Sequence, residues 1–138
     1  MSHYVDGFVV PVPIRNLDTY RRQAEKFGKL WIEYGALEYE ECVGDDVKPG
    51  KLTSFPQAVQ LRDDETVVFS WITYRSREDR DRINDKVMDD PRALRRYQAR
   101  HRVKGHDLAA LAYVTERWGE AGRQVYAVHF LHDARVLR

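Results

Sequence analysis

"TVVFSWITYR", residues 66–75, is the stretch that decides the fold. Nearly every position is β-branched or aromatic, which favours a pleated strand over a helix. Apolar residues at both parities point to a strand covered on both faces. Strand alternation puts Phe69 and Trp71 on one face and Ser70, Ile72 and Tyr74 on the other. Asp63-Asp64 supplies a tight turn before it.

Upstream, YVDGFVVPVP at 4–13 reads as a second strand bounded by prolines. Tyr4, Asp6, Phe8 and Val10 share one face, with Val5, Gly7 and Val9 on the other. LEYEECV at 37–43 alternates in the same way, setting Leu37, Tyr39, Glu41 and Val43 against Glu38, Glu40 and Cys42.

Between these strands, Leu17, Tyr20, Ala24, Phe27, Trp31 and Tyr34 recur at spacings of three and four. That is the apolar stripe of a long amphipathic helix. Asn16 is placed to cap its start and Gly35 its end. The aromatic stripe is read as core.

After the central strand, Ser76 is expected to cap a second helix, with Glu78 and Asp79 near its positive end. Asp90-Pro91 ends or restarts it. The order is then β-α-β-β-α. A fourth strand at about 124–131 would complete a split β-α-β unit. Two basic stretches, about 92–103 and 107–118, read as helices between.

At 138 residues the chain is expected to form one domain. Its lone cysteine excludes an internal disulfide and suits a reducing compartment. No apolar run approaches the roughly 18 residues of a membrane span. Without a secretory leader pattern either, a cytoplasmic location is expected. The near-neutral net charge hides an asymmetry: acids exceed bases over 1–91, and bases exceed acids more than twofold over 92–138.

Four segments resemble the YbaA-like bacterial family, catalogued as domain of unknown function 1428. They are YVDGFVVPVP at 4–13, ECVGDDVKPGKLTSFPQAV at 41–59, DETVVFSWITY at 64–74 and KVMDDPR at 86–92. The resemblance implies an α+β fold: a ferredoxin-like split βαβ sandwich of the dimeric α/β-barrel superfamily. There, two sheets pack face to face across a two-fold axis. The family has no established reaction, and relatives on the fold include cofactorless monooxygenases, decarboxylases and stress-response proteins. The family-like core spans 4–91. Beyond about residue 92 the sequence departs from the family pattern, giving an atypical basic C-terminal segment over 92–138. The departure coincides with the charge reversal, as a frameshifted or recently replaced tail would.

The candidate catalytic residues are Asp6, Trp71 and Arg75. A carboxylate on an apolar strand must be paired or protonated, and so can serve proton transfer, although structural ion pairs do the same to such groups. Trp71 with Phe69 could stack a planar ligand, or pack sheet on sheet across a dimer. Arg75 and Lys51 could hold an anion.

Residues 41–61 raise a second possibility. Glu41, Asp45 and Asp46 surround Cys42, and two adjacent carboxylates can bind a hard cation. The spacing of a calcium loop is absent, however, and acids there more simply shape the turn by bonding backbone amides. No metal site is expected. Cys42 has acidic neighbours, which favour the inert thiol. The stretch is read as a structured connection, with 56–61 either a short strand or a loop end. Glu41, Asp45, Asp46 and Lys51 remain candidate ligand-binding residues.

The basic run RALRRYQARHRVKGH at 92–106 lacks any nucleic-acid-binding motif and is attached to an acidic body, so nucleic acid is not the expected partner. His101/His106 and His129/His132 lack the context of a zinc helix, and no nucleotide-binding or nucleophile-elbow motif occurs. No cofactor is expected. Two functions remain. One is a small-molecule-binding protein or enzyme, with acid–base chemistry in a pocket between sheet and helices of a homodimer. The alternative is a non-catalytic, self-associating structural or stress-related protein. The residues leave open whether the chain is an enzyme.

Overall fold

The computed structural model describes residues 2–93 and 126–133. In chain order the elements are β1 (Ser2–Pro13), a 3-10 turn (Ile14–Asn16), α1 (Leu17–Tyr34), β2 (Glu38–Val43), α2 (Phe55–Ala58), β3 (Glu65–Tyr74), α3 (Arg77–Asp89) and β4 (Tyr126–Asp133). The fold is α+β. Its sheet is antiparallel, in the order β2-β3-β1-β4. The basic stretches beyond Ala93, with Tyr97, His101 and His106, lie outside the described residues.

Register fixes the two faces. Tyr4 pairs Tyr74, Asp6 pairs Ile72, Phe8 pairs Ser70 and Val10 pairs Val68. Across the other side of β3, Tyr39 pairs Ile72, Glu41 pairs Ser70 and Val43 pairs Val68. Paired residues share a face. One face therefore carries Tyr4, Asp6, Phe8, Val10, Tyr39 and Glu41, and it packs under α1 and α3.

Two apolar clusters hold the layers together. The first joins Phe27, Leu30 and Trp31 of α1 to Ile72 and Tyr74 of β3 and Ile83 and Val87 of α3. The second joins Tyr20 and Ala24 to Val10, Val12 and Val68. Val12, Val68, Ile83 and Val87 are fully buried. Each contributes about 1.5–3 kcal/mol relative to an exposed position. Trp31 Nε1 and the Tyr74 hydroxyl both donate to Asn84 Oδ1, at 3.0 and 3.1 Å, so the polar tips of this core are satisfied.

The opposite face is partly open in the single chain. Val67 and Thr73 are buried there, in line with the expectation of cover on both sides, while Phe69 is 38% exposed. α1 and α3 lie on the other side, and on this one only Phe55 of the short α2 stacks on Phe69.

Local signals mostly act as read. Gly35 ends α1 in the left-handed region, at φ 112°, and its N–H reaches Ile32 O at 3.0 Å. Ser76 Oγ accepts from Asp79 N at 3.1 Å, with Glu78 and Asp79 in the first turn. Asp90 leaves helical geometry before Pro91, at ψ 125°.

Two local details differ from expectation. Asn16 makes no side-chain cap, because a 3-10 turn from Ile14 runs straight into α1 and places it at φ −101°, ψ 0°. Within 56–61, neither strand nor bare loop forms. Ser54 Oγ accepts from Gln57 N at 3.3 Å, and Pro56 in the first turn starts the short helix α2.

Candidate functional site

β2 is an edge strand, and its alternation turns Tyr39 and Glu41 toward α1. The Glu41 carboxylate is the centre of a constellation. Tyr20 of α1 donates its hydroxyl to Glu41 Oε2 at 2.7 Å. Tyr39 donates to Oε1 at 2.9 Å. Ser70 stands opposite Glu41 on β3, and its hydroxyl favours the anion.

Burial raises the Glu41 pKa, and the hydroxyls of Tyr20, Tyr39 and Ser70, which favour the anion, do not overcome it. Burial, and then the neighbouring Glu41 charge, hold the Tyr20 hydroxyl well above its ordinary range. The result is a carboxyl that keeps its proton to higher pH than a solvated glutamate, beside a Tyr20 phenol whose ionisation is pushed up. Such a group can give or take a proton at a bound molecule.

Space exists on both sides of this carboxyl. Inward is a cavity of about 40 Å³, walled by Phe8, Val10, Trp31, Trp71 and Ile72 as well as the constellation itself. It is roomy enough for a water molecule. Outward is a groove of about 590 Å³ between α1 and β2, bounded by Leu17, Ala24, Gly28, Ile32, Tyr39 and Val43.

Gly28 shapes the contact of the two elements. A Cβ at this position would lie 2.8 Å from Tyr39 Cδ1 and 3.2 Å from Cε1 and Cγ. Its absence lets the Tyr39 ring lie against the helix, with the hydroxyl on Glu41. A glycine inside an 18-residue helix costs about 1 kcal/mol relative to alanine. This close approach is the reason for it.

The three sequence candidates for catalysis fall in three different places. Asp6 is 3% exposed on the helix side, with its Oδ1 3.8 Å from Arg80 Nε of α3. Arg80 also donates to the Tyr4 hydroxyl at 3.1 Å and lies over that ring, 5.1 Å from its centroid. Burial first, and the Asp6 charge second, push the Tyr74 hydroxyl far above its ordinary pKa. Asp6 is thus the anchor of a buried ion pair between sheet and helix. Trp71 stands opposite Gly7, on the open face. There it lies 5.4 Å from Phe69, which stacks on Phe55 at 5.5 Å. Arg75 is exposed beyond the end of β3. The structure does not bring Asp6, Trp71 and Arg75 together.

Among the ligand-binding candidates, Glu41 alone enters the constellation. Asp45, Asp46 and Lys51 are exposed in the loop, and Asp46 pairs with Lys48 at 3.4 Å. Among the described residues no group of three or more His, Cys, Asp or Glu could hold a metal ion. Cys42 is exposed on the open face.

Tyr20, Tyr39, Ser70 and Gly28 escaped the sequence reading as site residues. The signals were present: Tyr39 and Glu41 alternate on one face, and Gly28 interrupts an otherwise strong helix.

A second polar cluster pins the end of α3. Asp90 accepts from the Tyr34 hydroxyl at 2.7 Å and from Arg92 N, Nε and Nη2. Arg92 reaches on to Glu33 at 2.9 Å. The Arg92 bonds hold the Asp90 carboxyl far below the usual range. This cluster joins the ends of α1 and α3 and faces neither cavity nor groove.

Known proteins place the chain among others without an assigned role. Proteins titled "Uncharacterized protein YbaA", from Escherichia coli strain K12, Escherichia coli O157:H7 and Shigella flexneri, are each 53% identical over 89 residues. The aligned part is 64% of this chain and 76% of the relative. The family model described as "Protein of unknown function (DUF1428)" matches residues 3–102, so the chain belongs to that family.

Proposed function

We propose that this chain binds a small organic molecule in the groove between α1 and β2, with Glu41 as the group that exchanges a proton or hydrogen bond with it. The observation that carries this reading is one carboxyl, held by Tyr20 and Tyr39 and facing Ser70, at the wall of a largely apolar groove. A few convergent polar groups in an apolar recess are the usual make-up of a ligand site, and about 590 Å³ lies within its usual size range. Asp6 belongs to the supporting ion pair, and Trp71 to the opposite face.

The wider reading is a ferredoxin-like subunit paired through its open sheet face. The strand order β2-β3-β1-β4, with α1 and α3 on one side, supports the first part. The run of Phe55, Phe69 and Trp71 supports the second, because a two-fold contact repeats one apolar patch on both subunits. Among the described residues no helix is long and apolar enough to cross a membrane. An exposed free cysteine suits a reducing compartment such as the cytoplasm.

The test of the site is a thermal-shift panel of small neutral and charged organic compounds on wild type and Glu41→Gln. At least one compound should raise the wild-type melting temperature and lose that effect in the variant. A panel without a shift, or shifts indifferent to Glu41, refutes the site. Light scattering after size exclusion tests the pairing: Phe69→Lys should convert a dimer to a monomer, and a wild-type monomer refutes it.

A further inference from the structure

The shape and chemistry of the α1–β2 groove narrow what it takes; the inference rests on the site reading above. Its helical wall runs from Leu17 to Ile32. At 1.5 Å per residue that is about 22 Å. Its strand wall, Tyr39 to Val43, spans about 13 Å. The recess is therefore elongated, with Leu17 and Ile32 at the two ends of its helical wall and the Tyr39 ring packed on Gly28 between them.

Charge gives the second constraint. The four charged side chains of the rim pair with one another: Arg21 with Asp18 at 3.6 Å, and Lys29 with Glu25 at 3.0 Å. Neither sign is left in excess to attract an ionic ligand.

The third constraint is hydrogen-bond capacity. A carboxylate offers about four lone-pair positions. Tyr20 occupies one on Oε2 and Tyr39 one on Oε1, and Ser70 stands across from the carboxyl on β3. What is left serves as acceptor for a donor or, with the carboxyl protonated, as one O–H donor. A second anionic group here would meet a like charge, and an ammonium would lose its hydration for a single partner.

We infer that the groove binds an uncharged, single-chain amphiphile, an aliphatic alcohol, with its hydroxyl at Glu41 and its chain lying along the exposed apolar side chains of the groove. The hydroxyl both donates and accepts, so it fits Glu41 in either protonation state. The chain covers apolar surface that the sheet edge leaves open.

The experiment compares 1-octanol below its solubility limit with octanoate and octylammonium below their micelle concentrations, by NMR titration of the full chain at pH 7. Octanol should bind at least tenfold more tightly than either charged analogue, with shifts concentrated in α1 and β2. Ile32→Glu and Val43→Glu alter exposed groove residues, 46% and 54% accessible, and should each weaken octanol at least tenfold. Two variants keep the test valid if one fails to fold. Equal binding of a charged analogue, shifts confined to Phe55, Phe69 and Trp71, no binding of octanol, or indifference of both folded variants overturns the inference. A compact panel compound with a Glu41-dependent shift, where octanol has none, would leave the site reading standing and remove only the alcohol.

Discussion

Replacing Gly28 with alanine gives a prediction whose sign is diagnostic. In a helix that touches nothing, alanine would gain about 1 kcal/mol over glycine. Here the new Cβ would stand 2.8 Å from Tyr39 Cδ1, where ordinary contact begins at 3.4 Å. The ring must recede by about half an ångström or more, and such overpacking costs about 1–3 kcal/mol. Its hydroxyl is 2.9 Å from Glu41 Oε1, so the movement also stretches that bond. A hydrogen bond to a charged group is worth about 1.5–3 kcal/mol. Partial loss of it on top of the steric cost outweighs the propensity gain. The net expectation is destabilisation of about 1–2 kcal/mol, read as a lower urea midpoint at unchanged m. In a Tyr39→Ala background the obstruction is gone, and Gly28→Ala should turn neutral or stabilising by up to about 1 kcal/mol. The double-mutant cycle should therefore show coupling of about 2 kcal/mol. A Gly28→Ala midpoint above wild type, or an equal penalty in both backgrounds, refutes the argument that this glycine exists to seat Tyr39.

Glu41→Gln should change the pH dependence of stability. The folded-state pKa of Glu41 is raised, so its neutral form favours folding and that contribution is lost as pH rises through the folded value. Urea midpoints from pH 4 to 8 should show the variant gaining on wild type as pH rises, and a constant difference would refute the shift. Arg80→Met leaves Asp6 buried without its cation and should cost about 3 kcal/mol in equilibrium unfolding, against a smaller loss for the neutral pair Asp6→Asn/Arg80→Met. Equal losses would show that the charge is otherwise compensated. Asp90→Asn acts in the acid range: Asp90 has a lowered pKa, so its contribution is present above the ordinary aspartate value and fades as pH falls below it. The variant should be less stable than wild type at neutral pH and should converge on it in acid; parallel curves refute the role of the Arg92 bonds.

The layers of this fold were legible because both periodicities are strong. The 66–75 and 4–13 strands and the Leu17–Tyr34 stripe are long and lie near their observed bounds. Ser76 and Gly35 acted through their own local chemistry. Ser54-Phe55-Pro56 was read as loop, although a cap residue followed by an early proline is also a helix start. The site was harder for a definite reason. Alternation tells which residues of one strand share a face, but not which face of the neighbouring strand joins it. Asp6 and Trp71 were grouped on that missing piece of information. In the observed register Asp6 meets Ile72, and Trp71 meets Gly7. A slip of one residue would have reversed this, and only pairing between distant segments decides it. Tyr20 illustrates the same limit: a helical tyrosine read as core became a hydrogen-bond donor once the sheet brought Glu41 beneath it.

The central place of β1 has a kinetic consequence. Both of its neighbours come from remote parts of the chain: Tyr4 meets Tyr74 on one side and Leu131 on the other. No hairpin involving β1 can form early, and closing such large loops carries an entropic cost before any pairing compensates for it. The sheet should therefore start from β2 and β3, with the amino-terminal segment arriving late. Refolding should be slow for a chain of this size, and its rate should respond more to changes within the β2–β3 pair than to changes in β1.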